Sequence, residues 1–213
     1  IIGTINYQDT NGTRKYFNTF SVYDNKLRVL YSYNKINLVP FGEFLPLENS
    51  LKKFGFKSLT NNYHSFSKGT QRNIIEIKKK NFSIKILPLI CYEIIYSGKL
   101  FINPDFDLII NLSEDGWFGK SLGPKQHFVH SIFRAIESGK YVVRSSNNGI
   151  AGIINPLGYI EQKVNFGKSG FIDFKSIKKI QPTIFSLYGN KIFLLVILMY
   201  IVMITLLIKI KHE

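Results

Sequence analysis

Residues 192–208 read IFLLVILMYIVMITLLI, 17 consecutive positions without a charge, and no other feature of the chain restricts its fold as much. As an α-helix this run is about 26 Å long, near the lower limit for crossing the hydrocarbon core of a bilayer. It is apolar on every side, whereas a helix packed at the edge of a globular core carries a polar face. Lys191 and Lys209 bracket it and can snorkel to the headgroups, which extends its reach. Lys209, Lys211 and His212 follow directly, and the preference for positive residues inside puts that end in the cytoplasm. Two parts are therefore expected: a folded domain, residues 1–188, and a transmembrane helix with a short cytoplasmic tail, residues 189–213.

The rest of the chain has room for a sizeable core. Hydrophobic residues make up 45% of the sequence and aromatics 15%, which is compatible with a water-soluble domain rich in β structure. The net charge is +14, from 28 Lys+Arg against 14 Asp+Glu. Such a balance suits a polyanion, either an anionic membrane surface or a nucleic acid. Without an Arg-rich block, zinc-finger spacing or an aromatic RNA-binding motif, no nucleic-acid partner is expected. Cys91 is the one cysteine, so an internal disulfide or a cysteine-based zinc site is excluded and a free thiol remains. The first residues, IIGTINYQDT, contain neither Met nor a signal peptide, and the chain is expected to be the later portion of something longer.

Strands and helices alternate along the domain. Residues 15–23 and 27–33 read as strands joined by a turn at Asp24-Asn25. Residues 34–70 are rich in Pro, Gly, Asn and Ser and read as a long loop, with one short helix near 47–54. A loop of that length inside a domain is usually functional. Residues 73–78, 82–90 and 107–112 read as strands, the second ending in the charge-free run Ile86 to Ile90 typical of a buried parallel strand. Residues 123–139 read as a helix with Phe128, Ile132, Phe133 and Ile136 on its apolar face. Strands at 141–145, 149–154 and 171–174 complete an α/β pattern.

Cys91 closes the strand LPLI and opens CYEII. A nucleophile at a strand-to-helix turn is exposed at a sheet edge, and a helix N-terminus favours the thiolate. The competing reading is an inert buried cysteine. Lys35 precedes the proline-bracketed segment INLVPFGEFLP, a fixed loop rather than a floppy one. A lysine beside a thiolate stabilises both it and a tetrahedral oxyanion; the plain alternative is a solvated charge. Glu43 and Glu93 are the nearest carboxylates in sequence, able to act as acid or base or to hold the lysine by hydrogen bonding. Trp117 and Phe118, next to glycines, read as a shaped apolar wall, and Phe41 and Phe44 lie in a loop suited to an acyl chain. The alternative is ordinary core with a turn at Asp115-Gly116. His127 and His130 have a metal-compatible spacing, but no further ligand has convincing spacing. They are expected to pack the helix or face solvent, and no metal and no cofactor is expected.

Four stretches, KINLVPFGEFLPLE (35–48), LPLICYEII (87–95), NLSEDGWFGKSLGPKQHF (111–128) and RAIESGKYVVRSSNNGIAGIINPLG (134–158), followed by the terminal apolar helix, resemble the apolipoprotein N-acyltransferases, a membrane branch of the nitrilase (carbon–nitrogen hydrolase) superfamily. The resemblance implies a nitrilase-like α-β-β-α sandwich, incomplete at its N-terminus, on the periplasmic side of the bacterial inner membrane. It implies a ping-pong reaction in which Cys91 takes an acyl chain from a phospholipid and passes it to the α-amine of an S-diacylglyceryl cysteine on an apolipoprotein. Lys35 corresponds to the lysine of the family's catalytic triad, and Glu43, Tyr92 and Glu93 to supporting positions. The triad's glutamate belongs well before the lysine, and no Glu occurs among the 34 residues preceding Lys35. The resemblance therefore also implies a C-terminal portion, either truncated or encoded separately from its first half, and in the second case a separate N-terminal half as a partner. Two alternatives stand beside it: a membrane-anchored amidase or nitrilase, and a catalytically incomplete fragment. Ser-Glu-Asp-Gly at 113–116 departs from the family's usual Asn-Asp-Ala before Trp-Phe-Gly.

Overall fold

Odd and even residues of the central strands enter two different cores. The computed structural model describes residues 1–10, 12–47, 53, 65–98, 105–174 and 177–212. Within these, β1 (Ile2–Thr10), β2 (Thr13–Tyr23) and β3 (Val29–Asn34) form an antiparallel sheet in the order β1-β2-β3. The strands β4 (Ile75–Lys79), β5 (Phe82–Ile90), β6 (Leu108–Glu114), β7 (Tyr141–Asn147), β8 (Ala151–Ile154) and β9 (Ile160–Val164) form a second sheet in sequential order. In that sheet β5, β6 and β7 run parallel and the outer pairings are antiparallel.

From β5 and β6, Leu87, Leu89 and Ile109 point to one core, together with Phe128 and Ala135 of the helix α1 (Gly123–Ser138). Ile86, Ile90 and Leu108 point the other way, against Phe20, Val22 and Tyr33 of the smaller sheet. Being covered on both faces is why the middle strands read as continuous apolar runs. The described residues thus form three layers, helix on sheet on sheet, and the outer helical layer expected over the smaller sheet is not among them. The short helix expected near 47–54 lies outside the described residues but for Leu47 and Lys53.

Three expectations are corrected. Residues 171–174 form no strand: Phe171 is exposed, Ile172 and Phe174 lie against the inter-sheet core, and the Gln162 side-chain amide donates to the Asp173 carbonyl and accepts from its N–H. β1 and β9 were not anticipated; both are edge strands whose exposed, largely polar residues give no alternating apolar signal. Helix α1 buries His127, Phe128, Ser131, Arg134, Ala135 and Ser138, whereas Phe133 and Ile136 are exposed. Of the expected apolar face, Phe128 is in the core and Ile132 packs partly against it; the rest of the buried face consists largely of polar groups that reach the site and the 96–98 loop. Pro124 in its first turn and Gly139, left-handed at φ 65°, fix its ends.

Near the C-terminus a short helix α2 (Ile184–Tyr188) turns at Gly189 into α3 (Lys191–His212). The stretch Lys191–Lys211 is long and apolar enough to cross a membrane, and none of it is buried against the domain. A core helix of a soluble domain would be covered by that domain, and this one is exposed on all sides.

Candidate functional site

The parallel strands β5, β6 and β7 end at a common edge, where an α/β sheet offers its loops to ligands. Cys91 follows β5 directly, at the start of a 3-10 helix, Cys91–Ile95. Its φ of 49° is left-handed, which costs a non-glycine residue about 1–2 kcal/mol and sets the side chain on a tight turn. The surroundings hold that turn from several directions. Glu93 Oε2 accepts from the Ile90 amide at 2.9 Å. The Cys91 carbonyl lies 3.4 Å from Asn111 Nδ2 and 3.2 Å from His127 Nε2. The Cys91 Sγ is 3.8 Å from the Glu114 carbonyl oxygen.

Lys35 leaves the end of β3 and is buried, its ammonium donating to Glu43 Oε2 at 2.7 Å. Glu43 also accepts from the Val39 amide at 2.9 Å and from Asn18 Nδ2 at 2.8 Å. This pair is built by a loop with its own anchors. Lys35 N donates to Asn18 O, Gly69 N to Lys35 O, and Phe66 N to Glu43 O. A side chain at Gly69 would put its Cβ 2.1 Å from the Asn34 carbonyl oxygen, so the two segments approach as closely as glycine allows. The alternative of a solvated lysine is therefore excluded by its burial.

Glu93 is fully buried and does something else. Its Oε1 accepts from the Tyr33 hydroxyl at 2.6 Å, from Arg72 Nη2 at 2.7 Å and from the amides of Ile36 and Asn37 at 3.2 Å. With four donors on Oε1 and the Ile90 amide on Oε2, it clamps the Cys91 turn to β3 and the lysine loop. Burial and the adjacent Glu93 charge push Tyr33 well above its ordinary value, so its hydroxyl stays a donor.

A third buried cluster was not foreseen. Asp115 accepts from Arg144 Nη2 at 2.7 Å and lies 2.8 Å from His127 Nδ1. Arg144 also reaches Asn111 Oδ1, Ser113 Oγ and the Ile150 carbonyl. Burial alone raises the Asp115 carboxyl, but the His127 hydrogen bond and the Arg144 charge outweigh it and hold the group well below the usual carboxylate range. A charge within the buried strand YVVRSS was the available signal, since an arginine is not placed in a covered strand without partners. His127 itself has both ring nitrogens facing protein atoms. His130 instead lies beside Phe133, with burial and the Arg134 and His127 charges lowering its pKa. Among the described residues, no group of three or more His, Cys, Asp or Glu side chains is arranged to hold a metal ion.

Lys35, Glu43, Cys91, Tyr92, Trp117, Phe118 and His127 line one open cavity of about 770 Å³, with Ile1 and the β1 residues Ile2 and Ile5 adding apolar surface. Phe41 and Phe44 do not line it; the same loop reaches it through Val39 and Gly42. Trp117 is largely exposed at the mouth. A second cavity of about 810 Å³, bordered by Lys15, Lys68, Gln71 and Asn73, contains neither Cys91 nor Lys35. The first arrangement places a thiol, a buried ammonium–carboxylate pair and apolar walls around one volume, as nucleophilic attack on a carbonyl attached to an apolar chain requires.

The sequence model of the carbon-nitrogen hydrolase family matches residues 1–176. The apolipoprotein N-acyltransferase of Rickettsia prowazekii is 42% identical over 180 residues, 84% of this chain and 35% of the relative. That of Bradyrhizobium diazoefficiens is 41% identical over 179 residues, 84% of this chain and 33% of the relative. The chain thus spans about a third of the length of the curated relatives it matches. Among solved structures, Saccharomyces cerevisiae Nit3, a member of branch 10 of the nitrilase superfamily, aligns with a TM-score of 0.55 at 18% identity, covering 79% of this chain and 56% of that one. A glutamine-dependent NAD+ synthetase from Acinetobacter baumannii aligns with a TM-score of 0.52 at 18% identity, over 78% of this chain and 29% of that one. These two likenesses establish a shared fold.

Proposed function

The chain belongs to the carbon-nitrogen hydrolase family, and from that premise we propose that it is the cysteine-bearing part of an apolipoprotein N-acyltransferase of the bacterial inner membrane, its domain on the periplasmic side. The observation that carries the reading is the single cavity shared by Cys91 and the buried Lys35–Glu43 pair, in a chain that also has a membrane-length exposed helix. The Cys91 thiol gives its proton to a carboxylate base, and its sulfur attacks the ester carbonyl of a phospholipid such as phosphatidylethanolamine. The Lys35 ammonium stabilises the oxyanion that forms. Collapse breaks the carbon–oxygen bond, and the base returns the proton to the departing alkoxide as lysophospholipid leaves. The α-amine of an S-diacylglyceryl cysteine on the apolipoprotein then attacks the thioester. An amide forms, the carbon–sulfur bond breaks, and the amine's proton restores the thiol.

In this reading Glu43 holds Lys35 in place, Glu93 clamps the Cys91 turn, and Tyr92, Trp117 and Phe118 border the acyl chain. Phe41 and Phe44 stand further out on the lysine loop. The base glutamate comes from the part of the relatives that this chain does not span, supplied as an upstream segment or a separate N-terminal half. The direct test uses a synthetic S-diacylglyceryl-cysteine peptide in phospholipid vesicles containing the chain together with that half. Amide-linked acyl chains on the free-amine peptide, and none on its N-acetylated twin, support the reading. Hydrolysis of phospholipid or of small amides without any acylated peptide would assign the chain to an amidase instead.

A further inference from the structure

The buried Asp115–His127–Arg144 cluster has no place in the reaction as written, yet it ends on the backbone of the nucleophile. His127 Nε2 lies 3.2 Å from the Cys91 carbonyl oxygen. A carbonyl oxygen only accepts, so in this contact Nε2 is the donor. Asn111 Nδ2 approaches the same oxygen at 3.4 Å. Behind His127, Nδ1 is 2.8 Å from Asp115 Oδ1 and 3.1 Å from Arg144 Nη2. Asp115 and Arg144 have no exposed side-chain surface, and His127 is 5% exposed. The three sit on β6's end, α1 and β7, so the ring is fixed from three elements.

A trans peptide is planar, and its N–H points opposite to its C=O. No cis peptide is present among the described residues. Holding the Cys91 carbonyl toward Asn111 and His127 therefore turns the Tyr92 N–H to the opposite side of the peptide plane from those two side chains; Cys91, Tyr92 and His127 all border the cavity. Tyr92 lies in the first turn of its helix, where no carbonyl one turn back exists to take that N–H. Hydrogen bonds to the carbonyl oxygen also polarise the amide and strengthen its N–H as a donor.

We infer that His127, braced by Asp115 and Arg144, is a positioning residue that aims the Tyr92 amide at the oxyanion formed on the carbonyl bound to Cys91. The inference rests on the thioester chemistry proposed above. It separates His127 from the thiol's own reactivity, and that separation is measurable. Alkylation by iodoacetamide passes through no oxyanion, whereas acylation by a p-nitrophenyl ester does. Near pH 8.5 a free thiol is substantially ionised without a general base, so the chain alone, in detergent micelles, serves both assays. Cys91 is the one cysteine, so intact mass reports its modification directly.

The expected result is that His127→Phe slows acylation about tenfold or more, part of the 100–1,000-fold that an oxyanion donor is worth, while alkylation changes less than about threefold. His127→Gln, which restores a donor nitrogen near Nε2, recovers most of the acylation rate. Equal loss of both rates, or loss of neither, overturns the inference. If His127→Phe does not fold, Asn111→Asp decides, because it keeps an acceptor for Arg144 and removes a donor to Cys91; acylation at the wild-type rate then overturns the inference. A wild-type chain that alkylates but never acylates overturns the thioester reading and this inference together, whereas acylation unaffected by His127 overturns the inference alone.

Discussion

Truncating Glu43 to alanine strands a charge that the fold has buried. The Glu43 carboxylate takes three hydrogen bonds, from Lys35 Nζ at 2.7 Å, Asn18 Nδ2 at 2.8 Å and the Val39 amide at 2.9 Å. The Lys35 side chain has no exposed surface and Glu43 is 7% exposed. Removing one partner of a buried pair leaves the other uncompensated, at a cost of about 3–5 kcal/mol. A domain of this size is stable by about 5–15 kcal/mol, so Glu43→Ala removes a large part of the total. At about 2–4 °C per kcal/mol for chains of this length, the midpoint falls by about 6–20 °C. Adding Lys35→Met to Glu43→Ala removes the orphaned ammonium and restores about 2 kcal/mol or more, a strongly non-additive pair. Thermal melts of the full chain in micelles, followed by circular dichroism and by the fluorescence of Trp117 at the cavity mouth, measure both quantities. A loss below about 1 kcal/mol, or single and double variants that simply add, refutes the claim that this pair is a buried, mutually dependent ion pair.

Three further outcomes are expected. The Asp115 carboxyl is depressed below its ordinary 3.8, so its contribution to stability is complete above that value and is lost as pH falls through the lower folded value; the stability gap between wild type and Asp115→Asn, measured by urea melts, is therefore widest at neutral pH and narrows below about pH 4, and a gap that does not change with pH counts against the ion pair. Gly69→Ala drives a Cβ to within 2.1 Å of the Asn34 carbonyl oxygen and destabilises by about 1–3 kcal/mol as an overpacked site; a melt unchanged from wild type would mean the two segments are not in contact. Glu93→Gln turns an all-acceptor carboxylate into a group with two donors of its own facing Tyr33, Arg72, Ile90 and two amides, so it lowers stability and slows every reaction of Cys91, alkylation included. Normal alkylation of the Gln variant would remove Glu93 from the support of the nucleophile's turn.

The contrast between alkylation and acylation also separates the two clamps on Cys91. Glu93 lies in the Cys91 turn and accepts from the Ile90 amide just before Cys91, so its loss disturbs the thiol itself. Of Cys91, His127 hydrogen-bonds the carbonyl oxygen at the far end of the peptide, so its loss leaves the thiol where it is.

Sequence and structure agree where a residue's signal is local. The charge-free run Ile86 to Ile90, followed by Cys91, marked both a buried strand and the strand-to-helix turn that carries Cys91, because burial on both faces and a following helix leave their mark within ten residues. The Lys35 loop was legible through its prolines and the nearby Glu43. The cluster of Asp115, His127 and Arg144 was not, because its members come from three elements and each has an ordinary local explanation: a turn, a helix histidine, a strand charge. The face of α1 was misjudged for a related reason. Phe133 and Ile136 have the right spacing for a core face, but the helix turns His127 and Arg134 inward, to the Cys91 and Tyr96 carbonyls. Polar partners at long sequence separation decided its rotation, and periodicity of apolar residues does not encode them.

The central claim is that Cys91 carries the acyl group. The most direct test is the intact mass of the chain after incubation in phospholipid vesicles, with and without the polypeptide that completes the relatives' length. If Cys91 is acylated, the chain gains the mass of one acyl chain, confined to Cys91, reversed by hydroxylamine, absent in Cys91→Ala, and dependent on the added polypeptide. A folded wild-type chain that gains no such adduct even with the completing polypeptide present would contradict the claim.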